Sequence, residues 1–304
     1  MKIVIAGGSG FLGRPLAAAL AADGHDVITL TRGDGPRRGQ TRSRAVAWNP
    51  DGNAGPWAAE IDGAGAVVNL AGESIAGRRW SAAQKQRILD SRLKATRSLV
   101  SAIEAAAAPP PVFVSGSAVG YYGPRGDEAV TEETPAGSGF LAEVCTQWEA
   151  EAMRAATGPT RVACIRTGIA LEQDGGALPQ MLPPFRFGVG GPVGSGRQYW
   201  PWIHRADWIA LMQWVIATPA AAGPINATAP NPVTNAEFAR ALGRAMHRPA
   251  VMPAPAFALR LMLGEMADAL LLSGQRAVPS VPERLGFVFR YSRVDQALGA
   301  LFGS

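Results

Sequence analysis

The sequence predicts an α/β protein built on a doubly wound parallel sheet, with a small second unit toward the C-terminal end. Three observations predict it. An apolar run at residues 2–6 enters a glycine-rich loop and then an Ala- and Leu-rich helix. Short β-branched or apolar runs alternate with helical patterns through the first half, and after Gly168 the texture changes to loops rich in Gly and Pro. Alternating strands and helices bury both sheet faces when the helices cross over between parallel strands, which puts ligands at the carboxyl ends of the strands.

The first run, KIVIAGGSGFLG over residues 2–13, has the order strand, glycine loop, helix. Gly7 allows a tight turn out of the strand, Gly10 lets backbone N–H groups approach a pyrophosphate, and Gly13 lets the next helix, 14–22, pack closely. The helix start turns its orphan donors and positive dipole end toward that phosphate, with Phe11 and Leu12 beside it. In a chain with 36 glycines the spacing alone says little; the flanking strand and helix make it a dinucleotide site. The second strand, 27–31, ends at Thr31 and Arg32, where a site that prefers NAD carries an acid for the ribose 2′-hydroxyl. Arg32, helped by Arg37 or Arg38, suits a 2′-phosphate instead. The expected cofactor is therefore NADP(H), ahead of NAD.

Further strands are expected at 66–70, 112–115 and 162–166, with helices at 81–107 and 141–155 between them. Leu70, Ala71, Gly72 and Glu73 follow the third strand and Ser115 ends the fourth, at the carboxyl edge where a nicotinamide lies, so they join the expected cofactor contacts. Residues 1–170 read as the NADP-binding core. Residues 171–304 read as substrate-side segments and a small C-terminal domain, with a late strand and helix of the core interleaved. That second part carries a glycine-rich loop at 188–197, suited to a lid with Arg197 and Gln198 on it, and a cluster of Trp200, Trp202, Trp208 and Trp214. A Pro-punctuated stretch at 249–255 precedes an expected helix 256–272, a strand 287–291 and a final helix capped at Ser292. The tryptophans suit core packing ahead of a floor for a planar or sugar-like substrate.

Composition excludes several classes. The chain has 304 residues, is 47% apolar and carries a net charge of +5, but its arginines are scattered among acids, which argues against a nucleic-acid partner. Cys145 and Cys164 have no CxxC or metal spacing, and His25 and His247 have no metal-like company, so no metal is expected and a reducing cytoplasm fits best. The run before Gly7 is too short for a signal segment and 208–217 too short to span a bilayer, so no membrane partner is expected.

GGSGFLG, the strand VVNLAGES, the helix carrying SRLKAT, VFVSGSAVGYYG and RTGIAL together resemble the extended short-chain dehydrogenase/reductase superfamily. More narrowly, NLAGES, RRW, GGPVGSGRQYWPWIHRAD and GQRAVP resemble an atypical branch of epimerase family proteins. The resemblance covers essentially the whole chain and implies a Rossmann doubly wound sheet that binds NAD(P), a small C-terminal substrate-side domain, and no settled substrate. It places Arg166, with Thr167 and Gly168, along the nicotinamide side, and His204 with Asp207 in a structural corner beside the substrate loop. By analogy it pairs helices 91–107 and 141–155 in a homodimer.

The resemblance also implies an active-site Tyr with a Lys four residues later, and this chain has no such pair: its lysines are Lys2, Lys85 and Lys94 only. Aligned on Glu149, the helix 141–155 puts Leu141 where the Tyr would stand and Cys145 where the Lys would stand. Ser117 stands at the usual Ser, four residues before Tyr121, and Arg92 near the usual Asn. An unassisted tyrosine near pKa 10 is about three units from neutrality, a deficit of roughly 4 kcal/mol for a general base. Ser117, Tyr121 or Tyr122, and Arg92 are the expected catalytic set, with Arg92 stabilising an oxyanion or phenolate. Cys145 reads as a packed apolar residue ahead of an active thiol. The functional expectation is hydride transfer on a small carbonyl, alcohol or sugar-like substrate; the alternative is an NADP(H)-binding redox sensor without catalysis.

Overall fold

Seven parallel strands form the central sheet of the computed structural model, which describes residues 1–32 and 43–303. In spatial order they are β3 (Ser43–Ala47), β2 (Asp26–Thr31), β1 (Lys2–Ala6), β4 (Ala66–Asn69), β5 (Val112–Ala118), β7 (Arg161–Thr167) and β11 (Gly223–Ala227). Strand order reverses between β1 and β4, where Ala6 lies opposite both Leu30 and Asn69. The carboxyl ends of β1, β2 and β4 therefore lie side by side at a switch point, the crevice where open α/β sheets hold ligands.

The inner strands read as unbroken apolar runs because both faces are covered. One face packs Ile3, Ile5 and Val114 against Leu16 and Leu20 of α1 (Gly13–Ala22) and Trp208, Leu211 and Val215 of α5 (Arg205–Ala217). The other packs Val4, Ile28 and Phe113 against Leu99, Val100 and Ile103 of α2 (Ala82–Ala105) and Ala152 of α3 (Phe140–Met153). Ser81 caps α2 by accepting a hydrogen bond from the Gln84 amide at 3.2 Å. Since β11 and α5 lie beyond residue 170, the chain returns to the sheet after leaving it.

Three two-stranded ribbons hold the remaining segments: β6 (Ala129–Val130) with β13 (Arg276–Ala277), β8 (Ile169–Leu171) with β10 (Trp202–His204), and β9 (Tyr199–Trp200) with β12 (Val233–Thr234). A separate core joins Leu182 and Phe185 of α4 (Leu178–Arg186), Phe238 and Leu242 of α6 (Asn235–Ala245), and Leu298 of α10 (Val294–Phe302). Trp200, Trp202 and Trp208 are buried, and Trp214 stacks on Phe287 at 5.5 Å. The tryptophans serve packing.

Three C-terminal expectations change. The helix expected over 256–272 breaks into α7 (Ala256–Leu263), α8 (Glu265–Ala267) and a π-type turn, Asp268–Leu272, because Gly264 takes φ +62°, outside the helical region. The strand expected over 287–291 does not form. Its alternation is real but serves packing, with Phe287 on Trp214 and Phe289 on Phe287 at 4.8 Å. Its amides find another acceptor: Arg290 and Tyr291 donate to the Asp207 carboxylate at 2.9 and 2.8 Å. Arg293, not Ser292, precedes α10, paired with Asp295 at 2.9 Å. A short α9 (Ser280–Arg284) packs beside β11.

Asp207 and His204 thus form the structural corner. His204 accepts the Ala206 amide at 3.0 Å as the cap of α5 and stacks on Tyr291 at 4.1 Å. Asp207→Ala should lower the unfolding free energy by about 3 kcal/mol in urea titration, because two amides lose a charged acceptor. Asp207→Asn, which keeps one acceptor oxygen, should lose about half as much. Parent-like stability of both variants would show that the corner does not hold the C-terminal segment.

Candidate functional site

The site begins at the glycine loop, and its glycines are required by contact. Gly7 has φ +79°, and a Cβ there would stand 2.6 Å from the carbonyl carbon of Leu70. A Cβ on Gly13 would stand 2.3 Å from the Gly7 oxygen, so Gly13 lets α1 start against the end of β1. The Gly10 amide donates to that same oxygen at 3.0 Å and closes the turn. No described side chain caps α1, whose first residues follow Leu12; Arg14 donates its amide to the Gly10 carbonyl at 3.0 Å and Pro15 has none, so the Gly13 amide is the leading donor left for an anion. Phe11 lies against Gly175 and Gly176 and, like Leu12, packs on the core.

Arg32 stands exposed just past β2 beside Thr31, without a hydrogen bond or ion pair to another described residue. Arg37 and Arg38 lie outside the described residues. The loop after β4 is held from below: Asn69 accepts the Ala71 amide at 3.1 Å and donates to Thr96 at 2.9 Å, and Trp148 donates to the same hydroxyl at 2.9 Å. The Glu73 amide donates to Ser91 at 2.9 Å, and its carboxylate accepts from Gln84 at 2.8 Å. Glu73 therefore ties the loop to α2 with its side chain, contrary to the expected cofactor contact. Sequence reasoning missed Asn69, Thr96 and Trp148; a lone Asn closing the apolar strand VVN was the available signal.

Arg92 lies under this loop. Its Nη1 donates to the carbonyls of Glu73 and Ile88, both at 3.0 Å, and its guanidinium covers Trp148 at 5.2 Å. A Cβ on Gly72 would come within 3.3 Å of it. Burial lowers its pKa, and Cys145 and Glu73 oppose that shift. Among the described residues, Nε and Nη2 of Arg92 have no hydrogen-bond partner.

A polar knot fills the space behind Ser117. Arg166 donates to both oxygens of Glu149 at 2.8 Å, Ser117 donates to Glu149 Oε1 at 2.6 Å, and Arg166 Nη1 donates to the Tyr122 hydroxyl at 3.0 Å. Tyr122 donates in turn to Asn226 at 2.6 Å. Burial pushes its pKa up to about 12, against the pull of Arg166. The ring of Tyr121 covers the guanidinium of Arg166 at 3.5 Å. Burial lowers the Arg166 pKa, but the Glu149 hydrogen bonds and charge outweigh it, and the net shift is upward.

This knot corrects several expectations. Tyr122 is wholly buried and committed at its hydroxyl, so it does not face a substrate. The Arg166 guanidinium is spent inside the protein and gives nothing to a nicotinamide. Ser117 is 5% exposed with its proton held by Glu149. Ser115 is fully buried, the Thr167 hydroxyl accepts from Trp208 at 3.1 Å, and a Cβ on Gly168 would stand 2.6 Å from the Pro201 oxygen. Arg92 and the half-buried Tyr121 remain of the expected catalytic set. Glu149, Asn226 and Glu132 were missed as partners. Glu132 accepts the amides of Asn226 and Val281 at 3.0 and 3.2 Å, and burial raises its pKa.

Cys145 is buried in α3 beside Ser117, and burial, then Glu149, pushes its thiol up to about 11. Cys164 is buried and shifted the same way. Neither thiol should react with iodoacetamide at about pH 8 in the native chain, and both should react after unfolding, as counted by mass spectrometry. Rapid native labelling of Cys145 would overturn its packing role. Among the described residues no group of three His, Cys, Asp or Glu side chains could hold a metal, and no helix is long and apolar enough to cross a membrane.

The chain is similar to known proteins over its whole length. Residues 3–227 match the NAD dependent epimerase/dehydratase family, and residues 254–301 match a domain of unknown function, DUF1731. An epimerase family protein of Mycobacterium tuberculosis is 45% identical over 299 residues, which cover 98% of this chain and 96% of the relative. The crystal structure of human epimerase family protein SDR39U1 with NADPH aligns at a TM-score of 0.91 and 34% identity, over 100% of this chain and 99% of that one. A nucleoside-diphosphate sugar epimerase from Corynebacterium glutamicum aligns at 0.81 and 34% identity, over 100% of this chain and 58% of that one. With the switch-point crevice and the tight glycine loop in place, the chain belongs to the NAD dependent epimerase/dehydratase family.

Proposed function

We propose that this protein is an NADP(H)-dependent oxidoreductase or epimerase for a small carbonyl, alcohol or sugar-like substrate, with Arg92 supplying the positive charge at the reacting oxygen. The residues fit the dinucleotide: the start of α1, without a side-chain cap, and the close packing at Gly7 and Gly13 suit a pyrophosphate, and Arg32, unpaired among the described residues, suits a 2′-phosphate. The human relative with NADPH supports the same choice. When bound, NADP(H) would supply hydride exchange with a carbonyl carbon.

Arg92 carries this reading. Two carbonyls fix its Nη1, Trp148 supports its plane, and two of its nitrogens keep donors for an oxygen that gains negative charge. Tyr121 stands on the turn just after Ser117 and supplies a second hydroxyl donor. With Leu141 and Cys145 at the positions of the usual Tyr and Lys, charge stabilisation has to do more than proton transfer. The second reading, a binding module that reports the NADP(H) redox state, is favoured by the held Ser117 hydroxyl. A cytosolic setting and a homodimer through α2 and α3 belong to both readings.

Arg32→Asp should weaken NADPH by about 10- to 100-fold, the worth of a charge-assisted bond, and NADH far less, measured by fluorescence titration. Equal losses would sink the 2′-phosphate role. With deuterium-labelled NADPH and a carbonyl panel, the parent should transfer label from one face. Arg92→Met should then cut kcat/KM by about 100-fold, with NADPH affinity within a fewfold of the parent and partial rescue by Arg92→Lys. Tight NADPH binding with no turnover across the panel moves the assignment to the sensor.

A further inference from the structure

We propose that the outer surface built from residues 186–189 and 248–262 docks the protein onto an anionic phospholipid bilayer. The large apolar side chains that stand exposed are concentrated there. Of the ten exposed large hydrophobic residues among those described, seven belong to this surface. Val251, Met252, Phe257, Leu261 and Met262 are 55–79% exposed within one stretch of chain. Phe187 and Val189 join them across the bridge of Gly190 to Ala250, where the Met252 amide donates to Gly190 at 3.1 Å.

α7 makes the anomaly plain. Its sequence AFALRLML is apolar on every side apart from Arg260, yet none of its residues is buried. A helix apolar all round normally lies inside a protein or in lipid. Arg260 pairs with Asp268 at 2.9 Å, which removes its charge from the outer face.

Charge identifies the occupant. Val251 also lines a groove of about 520 Å³ formed with Arg240, Arg244, His247 and Arg248 along the end of α6. None of these three arginines forms an ion pair with another described residue, and neither does Arg186 at the end of α4. Glu237, the nearest acid on α6, has its carboxylate held by the amide and hydroxyl of Thr234 at 2.8 Å. Glu237 offsets Arg240 alone, and the surface joins apolar tips to an excess of positive charge from Arg186, Arg244 and Arg248. A second copy in a two-fold contact would set this groove against itself, like charge on like. An anionic leaflet meets both requirements: acyl chains accept the Phe, Leu and Met tips, and headgroups accept the arginines. Since α7 is far too short to span, it lies in the interface.

The test is co-sedimentation of the full chain, with NADPH present, on vesicles of phosphatidylcholine with or without phosphatidylglycerol at about 0.1 M salt. Binding should require the anionic lipid. Arg244→Gln with Arg248→Gln should weaken it by about thirtyfold. Phe257→Ser with Leu261→Ser should weaken it at least tenfold, with NADPH affinity unchanged in both variants. Absence of binding, or equal binding to both vesicles, overturns the proposal. So does concentration-dependent dimerisation that the Phe257 and Leu261 variant abolishes, because the surface then serves a second copy. Tight binding of a polyglutamate peptide with no vesicle binding overturns it in favour of an acidic protein.

Discussion

The paired charges of Glu149 and Arg166 are the constraint on which the site depends. The two meet through parallel bonds of 2.8 Å, with Arg166 almost wholly enclosed. Removing either partner of such a pair costs about 3 to 5 kcal/mol, because the other is left charged and dry. The pair is kept in register by what surrounds it. Ser117 from β5, Tyr122 from the turn after β5 and Asn226 from β11 complete its hydrogen bonds, so α3 and three strands are fixed by one polar cluster. The arrangement uses the serine that an oxidoreductase of the usual kind would present to its substrate. Structure has taken a residue that chemistry would otherwise use.

The cofactor end obeys a different logic. Gly7 and Gly13 are set by backbone approach, and the loop after β4 is set by Asn69, Thr96 and Trp148. These contacts hold one rigid edge of the crevice, and Arg92 is fixed beneath that edge by Glu73 and Ile88. A guanidinium held in this way needs little reorganisation when charge develops near it. It cannot take a proton from substrate, because it stays charged at any working pH. An arginine held there offers charge stabilisation and no proton transfer.

Most of the fold was legible in the sequence because its signals are local. Strand, turn and helix at residues 2–22 are written within one window, and strands covered on both faces announce themselves as apolar runs. The polar knot was illegible for the opposite reason. Tyr122 and Asn226 lie 104 positions apart, and Ser117 and Glu149 lie 32 apart, so no spacing rule joins them. The error at 287–291 is equally physical. Alternating phenylalanines satisfy a strand pattern and a packing pattern alike, and only the Asp207 carboxylate, 83 positions away from Arg290, decides which one wins. Arg92 was found through resemblance; the loop that carries its Glu73 anchor was read as a ligand contact because its fixed position cannot be seen from residue type.

The two halves of the chain meet again at the far side of the crevice, and the strength of that contact matters for access. Lys85 on α2 reaches Glu265 beside Gly264 at 2.6 Å, above an edge-on pair of Trp80 and Phe140. Arg79 approaches Gly264 closely enough that a Cβ there would stand 3.1 Å from its Nε. Glu265 is more than half exposed, and an ion pair of that kind is worth about 1 kcal/mol or less. A contact that weak yields to thermal motion, whereas the Glu149 and Arg166 pair does not. Gly264 already interrupts the helix at φ +62°, so the chain has a pivot at the point where the weak contact lies. The sheet and its polar knot thus form the fixed wall of the crevice, and the contact of α2 with Gly264 and Glu265 is the weaker one.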